Sequence, residues 1–214
     1  MYLNTNLLKT KVQKRGYVLI NNYIQKEQIK KLNKLLFSYY KKKKIRKNFN
    51  YKDNHIILHH GVSKFQNTKH HYISFKMYNL KKKTKLINKF NQILKKILII
   101  QKKMIKYNLI KQLGYNIFPE IIYYENNKGF LNDHVHLLHP QRYGYVLGLT
   151  DEEDKESGHY QKNLKVPINC GDLLIFKISN HHSVKKNITK RKQNVDYGFR
   201  GRLVLVTPIL NINS

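Results

Sequence analysis

Three short stretches carry residue types able to do chemistry. In GFLNDHVHLLHPQRYGYVLGL, residues 129–149, His134, His136 and His139 fall within six positions. Residues i and i+2 of a strand point to the same face, so His134 and His136 can both reach one metal ion. In GDLLIFKISNHHSV, residues 171–184, His181 and His182 follow an apolar run by a few positions. In GRLVLVTPIL, residues 201–210, Arg202 opens an otherwise apolar strand, with Arg200 just before it. A guanidinium there is costly unless it meets an anion, and its planar fork suits a carboxylate. The chemistry in view is metal binding and carboxylate recognition.

These residues must be positioned by the elements around them. After a short polar lead, Tyr17 to Ile20 reads as a strand and Asn21-Asn22 as a turn. Ile24, Ile29, Leu32, Leu36 and Tyr39/Tyr40 then recur at helical spacing, and KKKKIRKNFNYKDN reads as a solvated loop or helix end. Residues 51–80 mix His55, His59, His60, His70 and His71 with apolar pairs and declare no element; these histidines read as surface or loop residues. From Leu80 to Leu113 one stripe returns (Leu86, Phe90, Ile93, Ile97, Ile100, Met104), and Gly114 stops it. Beyond Tyr115 come short β-rich runs parted by turn signals. Helices first and strands later predict an α+β fold: a sandwich or jelly roll of strands with helices packed on one face. Neither an internal repeat nor a linker divides the chain, so residues 1–214 are expected to form one domain. Its helical support lies mainly in 22–113 and its strands in 115–210.

Composition bounds the partners. The 214 residues carry 42 Lys and Arg against 12 Asp and Glu, a formal +30. Nucleic acid or an anionic surface is the first thought. Yet only six of the 42 are arginine, alanine is absent, and Lys, Asn, Ile and Tyr, all with AT-rich codons, are heavily used. Compositional drift explains much of the charge. The lysines are spread along the chain, and neither zinc-finger spacing nor an aromatic RNA-binding pattern is present. Nucleic acid is therefore possible but not favoured. The single Cys170 excludes an intrachain disulfide framework and fits a reducing, cytoplasmic setting. The N-terminus has no apolar signal region, and ILKKILIIQKKMI is too broken by lysines to be a transmembrane segment. The acidic knot Asp151 to Glu156 reads as a solvated hairpin loop, and His139 before Pro140 as a loop residue.

The order of these pieces resembles the iron(II)/2-oxoglutarate-dependent oxygenases, which are built on a double-stranded β-helix, or jelly roll. RGYVLINNYIQKEQIKKLNKLL resembles their opening strand and helix, residues 129–149 the first ligand pair with its following strand, GDLLIFKISNHHSV the distal histidine, and GRLVLV the last strand. The resemblance implies iron(II) and 2-oxoglutarate as cofactors, oxidative decarboxylation to succinate, and oxidation of a C–H bond in a small-molecule substrate. His134 matches the first ligand, His182 rather than His181 the distal one, and Arg202, with Arg200 as the alternative, the arginine that holds the far carboxylate. Tyr145, Tyr124 or Arg142 would help to hold the cosubstrate. Residues 51–80 and 185–200 would form a lid, and the basic surface favours an anionic substrate.

One departure stands out: the family has His-x-Asp or His-x-Glu where this chain has His-x-His. Three readings follow. His136 replaces the carboxylate, since imidazole also ligates iron and zinc; Asp133 supplies one from a shifted register; or the site is decayed and metal-free. Two other functions stay open. One is a non-catalytic basic protein binding nucleic acid or another polyanion on a decayed scaffold. The other is a three-histidine, cupin-like dioxygenase that needs no 2-oxoglutarate and no Arg202.

Overall fold

The computed structural model describes residues 4–44, 56–62, 68–77, 84–104, 119–136, 143–151, 157–186 and 198–207. In chain order the elements are α1 (Thr5–Arg15), β1 (Tyr17–Ile20), α2 (Lys26–Lys44), β2 (Ile56–Val62), β3 (Lys69–Phe75), α3 (Lys85–Met104), β4 (Glu120–Glu125), β5 (Phe130–His134), β6 (Tyr143–Gly148), β7 (Gly158–Gln161), β8 (Leu164–Lys165), β9 (Leu173–Lys177), β10 (His182–Lys185) and β11 (Gly201–Thr207).

The polar lead is in fact a helix. The Asn4 side chain caps α1 by accepting from the Leu7 N–H, and Gly16, at φ 84°, ends it in the left-handed conformation. Leu8 and Val12, one turn apart, bury its inner side. Only these two apolar residues of α1 are buried, too few to stand out as a periodic stripe.

All strand pairs are antiparallel, in the order β1-β9-β6-β11-β4-β3-β5-β10-β7-β8, with β2 also on β3. β3 turns the corner. Ile73 to Phe75 pair with β4, while His70 and His71 pair with β5. The sheet thereby curls into a jelly roll, with β5, β10, β7 and β8 facing the longer row. Its two cores lie on opposite faces of that row. Alternation along β11 shows the division: Leu203 and Leu205 join the helix-side core with Leu36, Ile97, Leu147 and Ile175, whereas Val204 joins the interior core with Tyr124, Val146, Phe176 and Val184.

Two ties brace the row, one to the turn that leads into α2 and one to α2 itself. The buried Asp172 carboxylate accepts from the N–H of Asn22 (2.9 Å) and of Asn169 (3.0 Å), pinning the turn after β1 to the start of β9. The Asn33 amide on α2 donates to the Leu149 carbonyl at 2.6 Å.

Several expectations change. The described parts of 51–80 form a hairpin built into the sheet rather than a lid, because β3 is paired along its length. Asp151 is no free loop charge: it accepts from the Cys170 N–H at 3.0 Å and pairs with Lys26 at 3.2 Å. Residues 152–156, His55, His139, Arg142, Gly114 and 187–197 of the expected second lid segment lie outside the described residues. Among the described residues no helix is long and apolar enough to cross a membrane.

Candidate metal centre

β5 and β10 pair so that His134 and His182 are Cα partners. Register partners share a face, and both rings turn into the interior, 9% and 6% exposed. His136 follows two residues after His134, past the end of β5. Its N–H donates to the Ile178 carbonyl at 3.0 Å, which holds this stretch against the end of β9. The three rings converge, with centroids 4.1 Å apart for His134–His182, 4.9 Å for His134–His136 and 5.2 Å for His136–His182. One ring nitrogen from each lies within 4.8 Å of the other two.

The tautomers of two of them are fixed. Nδ1 of His134 lies 3.0 Å from the Asn132 carbonyl, and Nδ1 of His182 lies 2.9 Å from the Asn180 carbonyl. A carbonyl can only accept, so each Nδ1 carries the proton and each Nε2 keeps its lone pair. This is how a protein orients histidines for a metal. Burial makes the charged ring costly: it pushes His134 below the ordinary histidine range and His182 down to about 3. Both are neutral at physiological pH and able to ligate. A group of three imidazoles suits iron or zinc. The donor chemistry therefore fits a metal ion.

Asp133 and His181 stand apart from this group. His181 Nδ1 meets the Asp133 carboxylate at 2.6 Å on the outer side, with side chains 65% and 48% exposed. Alternation turns Asp133 away from His134, and His181 away from His182. Of the two adjacent histidines, it is His182 that meets the cluster.

Two interior residues carried no signal in the sequence. His159 and Gln161 on β7 are 4% and 2% exposed, and Gln161 is the Cα partner of His182. His134, His182 and Gln161 thus form one row across β5, β10 and β7. The Gln161 amide nitrogen donates to Nε2 of His159 at 2.8 Å, while its Oε1 is buried with no hydrogen-bond donor among the described residues. Burial first, then the Arg202 charge, holds His159 well below the ordinary range.

Arg202 is 6% exposed and is the Cα partner of Tyr124, which also faces the interior. Burial raises the Tyr124 phenol, and the Arg202 charge opposes that rise. Tyr145 is elsewhere. It lies fully buried in the helix-side core with Leu147 and Leu205, across the sheet from Arg202's face. Arg200 is exposed at the edge of β11, its carbonyl taking the Tyr123 hydroxyl at 2.8 Å. A guanidinium and a phenol thus lie side by side inside the roll, with Tyr124 rather than Tyr145 on the face of Arg202.

No family model matches the chain, and no curated protein is similar to it in sequence. Its fold does match solved structures. A prolyl-4-hydroxylase from Pseudomonas putida aligns over 94% of this chain and 96% of its own, at 12% identity and a TM-score of 0.52. A prolyl hydroxylase from Trichoplax adhaerens, solved with a hypoxia inducible factor peptide, aligns over 94% and 86%, at 12% identity and 0.56. The α-ketoglutarate-dependent epimerase SnoN of nogalamycin biosynthesis aligns over 94% and 80%, at 11% identity and 0.55. At such identities the likeness establishes the fold. The protein shares the curled antiparallel sheet of these structures, and its three histidines form a group that could hold a metal ion.

Proposed function

We propose that the chain is an iron(II)- and 2-oxoglutarate-dependent oxygenase whose metal is held by His134, His136 and His182. The observation that carries this reading is the convergence of three imidazole nitrogens within 4.8 Å inside an oxygenase-type jelly roll. In this reading His136 stands in place of the family's carboxylate. Arg202, with Tyr124 beside it, binds the far carboxylate of 2-oxoglutarate. When bound, the metal and keto acid supply the oxidising chemistry, with decarboxylation to succinate as dioxygen is reduced. The chain's own residues hold the ligand nitrogens unprotonated, line the interior with Phe176 and Val184, and keep water from the reacting region. The substrate is a small molecule.

One observation favours a second reading. Among the described residues no carboxylate joins the three histidines, as expected of a three-histidine dioxygenase that needs no 2-oxoglutarate.

Anaerobic titration of the metal-free protein with iron(II), with and without 2-oxoglutarate, separates the two. A visible iron-to-keto-acid charge-transfer band that needs both, and is lost in His182→Ala and Arg202→Ala, is the expected result. Iron binding without that band supports the second reading. No iron binding overturns both.

A further inference from the structure

The charge is not laid evenly over the fold. Helices α1, α2 and α3 span 50 of the 214 residues and hold 18 of the 42 Lys and Arg, but only Glu27 of the 12 Asp and Glu. Their net charge is +17, against +13 for the other 164 residues. Codon drift adds lysine wherever solvent tolerates it, in loops and strand faces as much as in helices. It does not clear acids from one layer.

The apolar faces of these helices are spent on the core, through Leu32, Leu36, Ile93 and Ile97 among others, so the lysines look outward. Between α2 and α3 runs a groove of about 450 Å³. Lys31, Lys34, Lys85 and Lys89 line it, with Asn88 and Gln92 between them. None of these four lysines has an acidic partner within ion-pair distance among the described residues.

We propose that this helical face docks the phosphate backbone of a nucleic acid. Ammonium groups flanking a groove, with amides between them, suit a run of phosphates and read no sequence. An anionic bilayer fits less well. It needs apolar side chains to insert, and the described part of the three helices exposes only Leu7 and Ile99 as large hydrophobics. The groove lies across the sheet from His134, His136 and His182. Docking there leaves the interior open, so the nucleic acid acts as a tether and not as the group oxidised.

The test is fluorescence anisotropy with a labelled 20-base-pair DNA duplex and a 20-nucleotide RNA, from 50 to 300 mM KCl. Wild-type protein is expected to bind at least one of them with a Kd on the order of micromolar at 100 mM salt, weakening steeply as salt rises. Lys31, Lys34, Lys85 and Lys89 changed together to Glu should weaken binding at least about tenfold and flatten the salt slope by about 3 to 4. The same four changed to Gln guard against a folding defect and should shift both in the same direction. Lys128, Lys162, Lys185 and Lys186 changed to Glu, all exposed and outside the helices, should move affinity less than about threefold. An equal loss in that control set, absence of binding, or binding to phosphatidylserine vesicles in preference to both nucleic acids would overturn the proposal. Cobalt(II) affinity is expected to be unchanged in the groove variants.

Discussion

His134 and His182 face each other as register partners across β5 and β10, with their rings 4.1 Å apart and each Nδ1 tied to the carbonyl two residues back. Two histidines 48 positions apart in sequence are therefore delivered to one point in the same tautomer. Calorimetric titration with cobalt(II) is expected to give one site per chain. Changing either residue to Ala should lower affinity more than about 100-fold, beyond the effect usual for an outer-shell partner. His136→Asp, which keeps a ligand at that position, should stay within about tenfold of wild type. Equal affinity in His182→Ala would rule out the site.

The neighbouring pair Asp133–His181 makes a contrasting case. It is solvent-exposed, where an ion pair contributes about 0–1 kcal/mol. Asp133→Ala and His181→Ala should each leave cobalt(II) affinity within about twofold and the melting temperature nearly unchanged.

Asp172 is expected to matter for stability rather than for the histidine group. It is 5% exposed and takes two backbone N–H groups, from Asn22 and Asn169. Asp172→Ala leaves both donors without that acceptor, and urea unfolding should register a loss of about 2–4 kcal/mol.

Gly144 controls the wall behind His182. A Cβ there would sit 2.4 Å from the Phe176 ring, and that ring lies 4.9 Å from the ring of His182. Gly144→Ala overpacks the interior, at a cost of about 1–3 kcal/mol. Phe176 must give way, and a shift toward the ring of His182 should lower cobalt(II) affinity as well. A variant that loses stability but binds metal normally would show that Phe176 moves the other way.

Acid should weaken the metal-free protein through its buried histidines. His59 stacks on Tyr72 and meets the Ser74 hydroxyl at 3.0 Å; burial, then the charges of Lys76 and His70, bring it down to about 4. The unfolded chain takes up a proton near the ordinary value of about 6.5, while the folded chain resists until about 4. Its contribution is complete above the upper value and is lost as pH falls through the window to the lower one. In EDTA, the melting temperature should drop between pH 7 and pH 4.5, and less steeply for His59→Gln.

The sequence showed what periodicity and spacing can carry. Short runs such as DLLIFKI and GRLVLV declare strands because their apolar content outruns helical spacing, and they make up the curled antiparallel sheet. His134 and His136 are legible as a same-face pair. What stayed hidden has a physical cause in each case. β6 is buried on both sides, so YGYVLG has no polar alternation to reveal that Tyr145 turns toward the helices. His159 and Gln161 sit in a four-residue strand straight after a Ser-Gly turn signal, and their interior position comes from pairing with β10. The hairpin of β2 and β3 breaks its apolar residues with four histidines, a glycine and a lysine, and its strand character is supplied by β4 and β5.

The central place of β11 sets an order on biosynthesis. It is the last of the described strands, yet it lies between β6 and β4. A nascent polypeptide cannot close this sheet as it emerges. β4 and β6 each offer a bare edge to any passing strand until residue 207 has cleared the ribosome. The histidine trio likewise stays divided until His182 is made, 46 residues after His136. Folding is thus postponed rather than progressive, and slowing translation would lengthen the exposure of those edges instead of guiding the chain home.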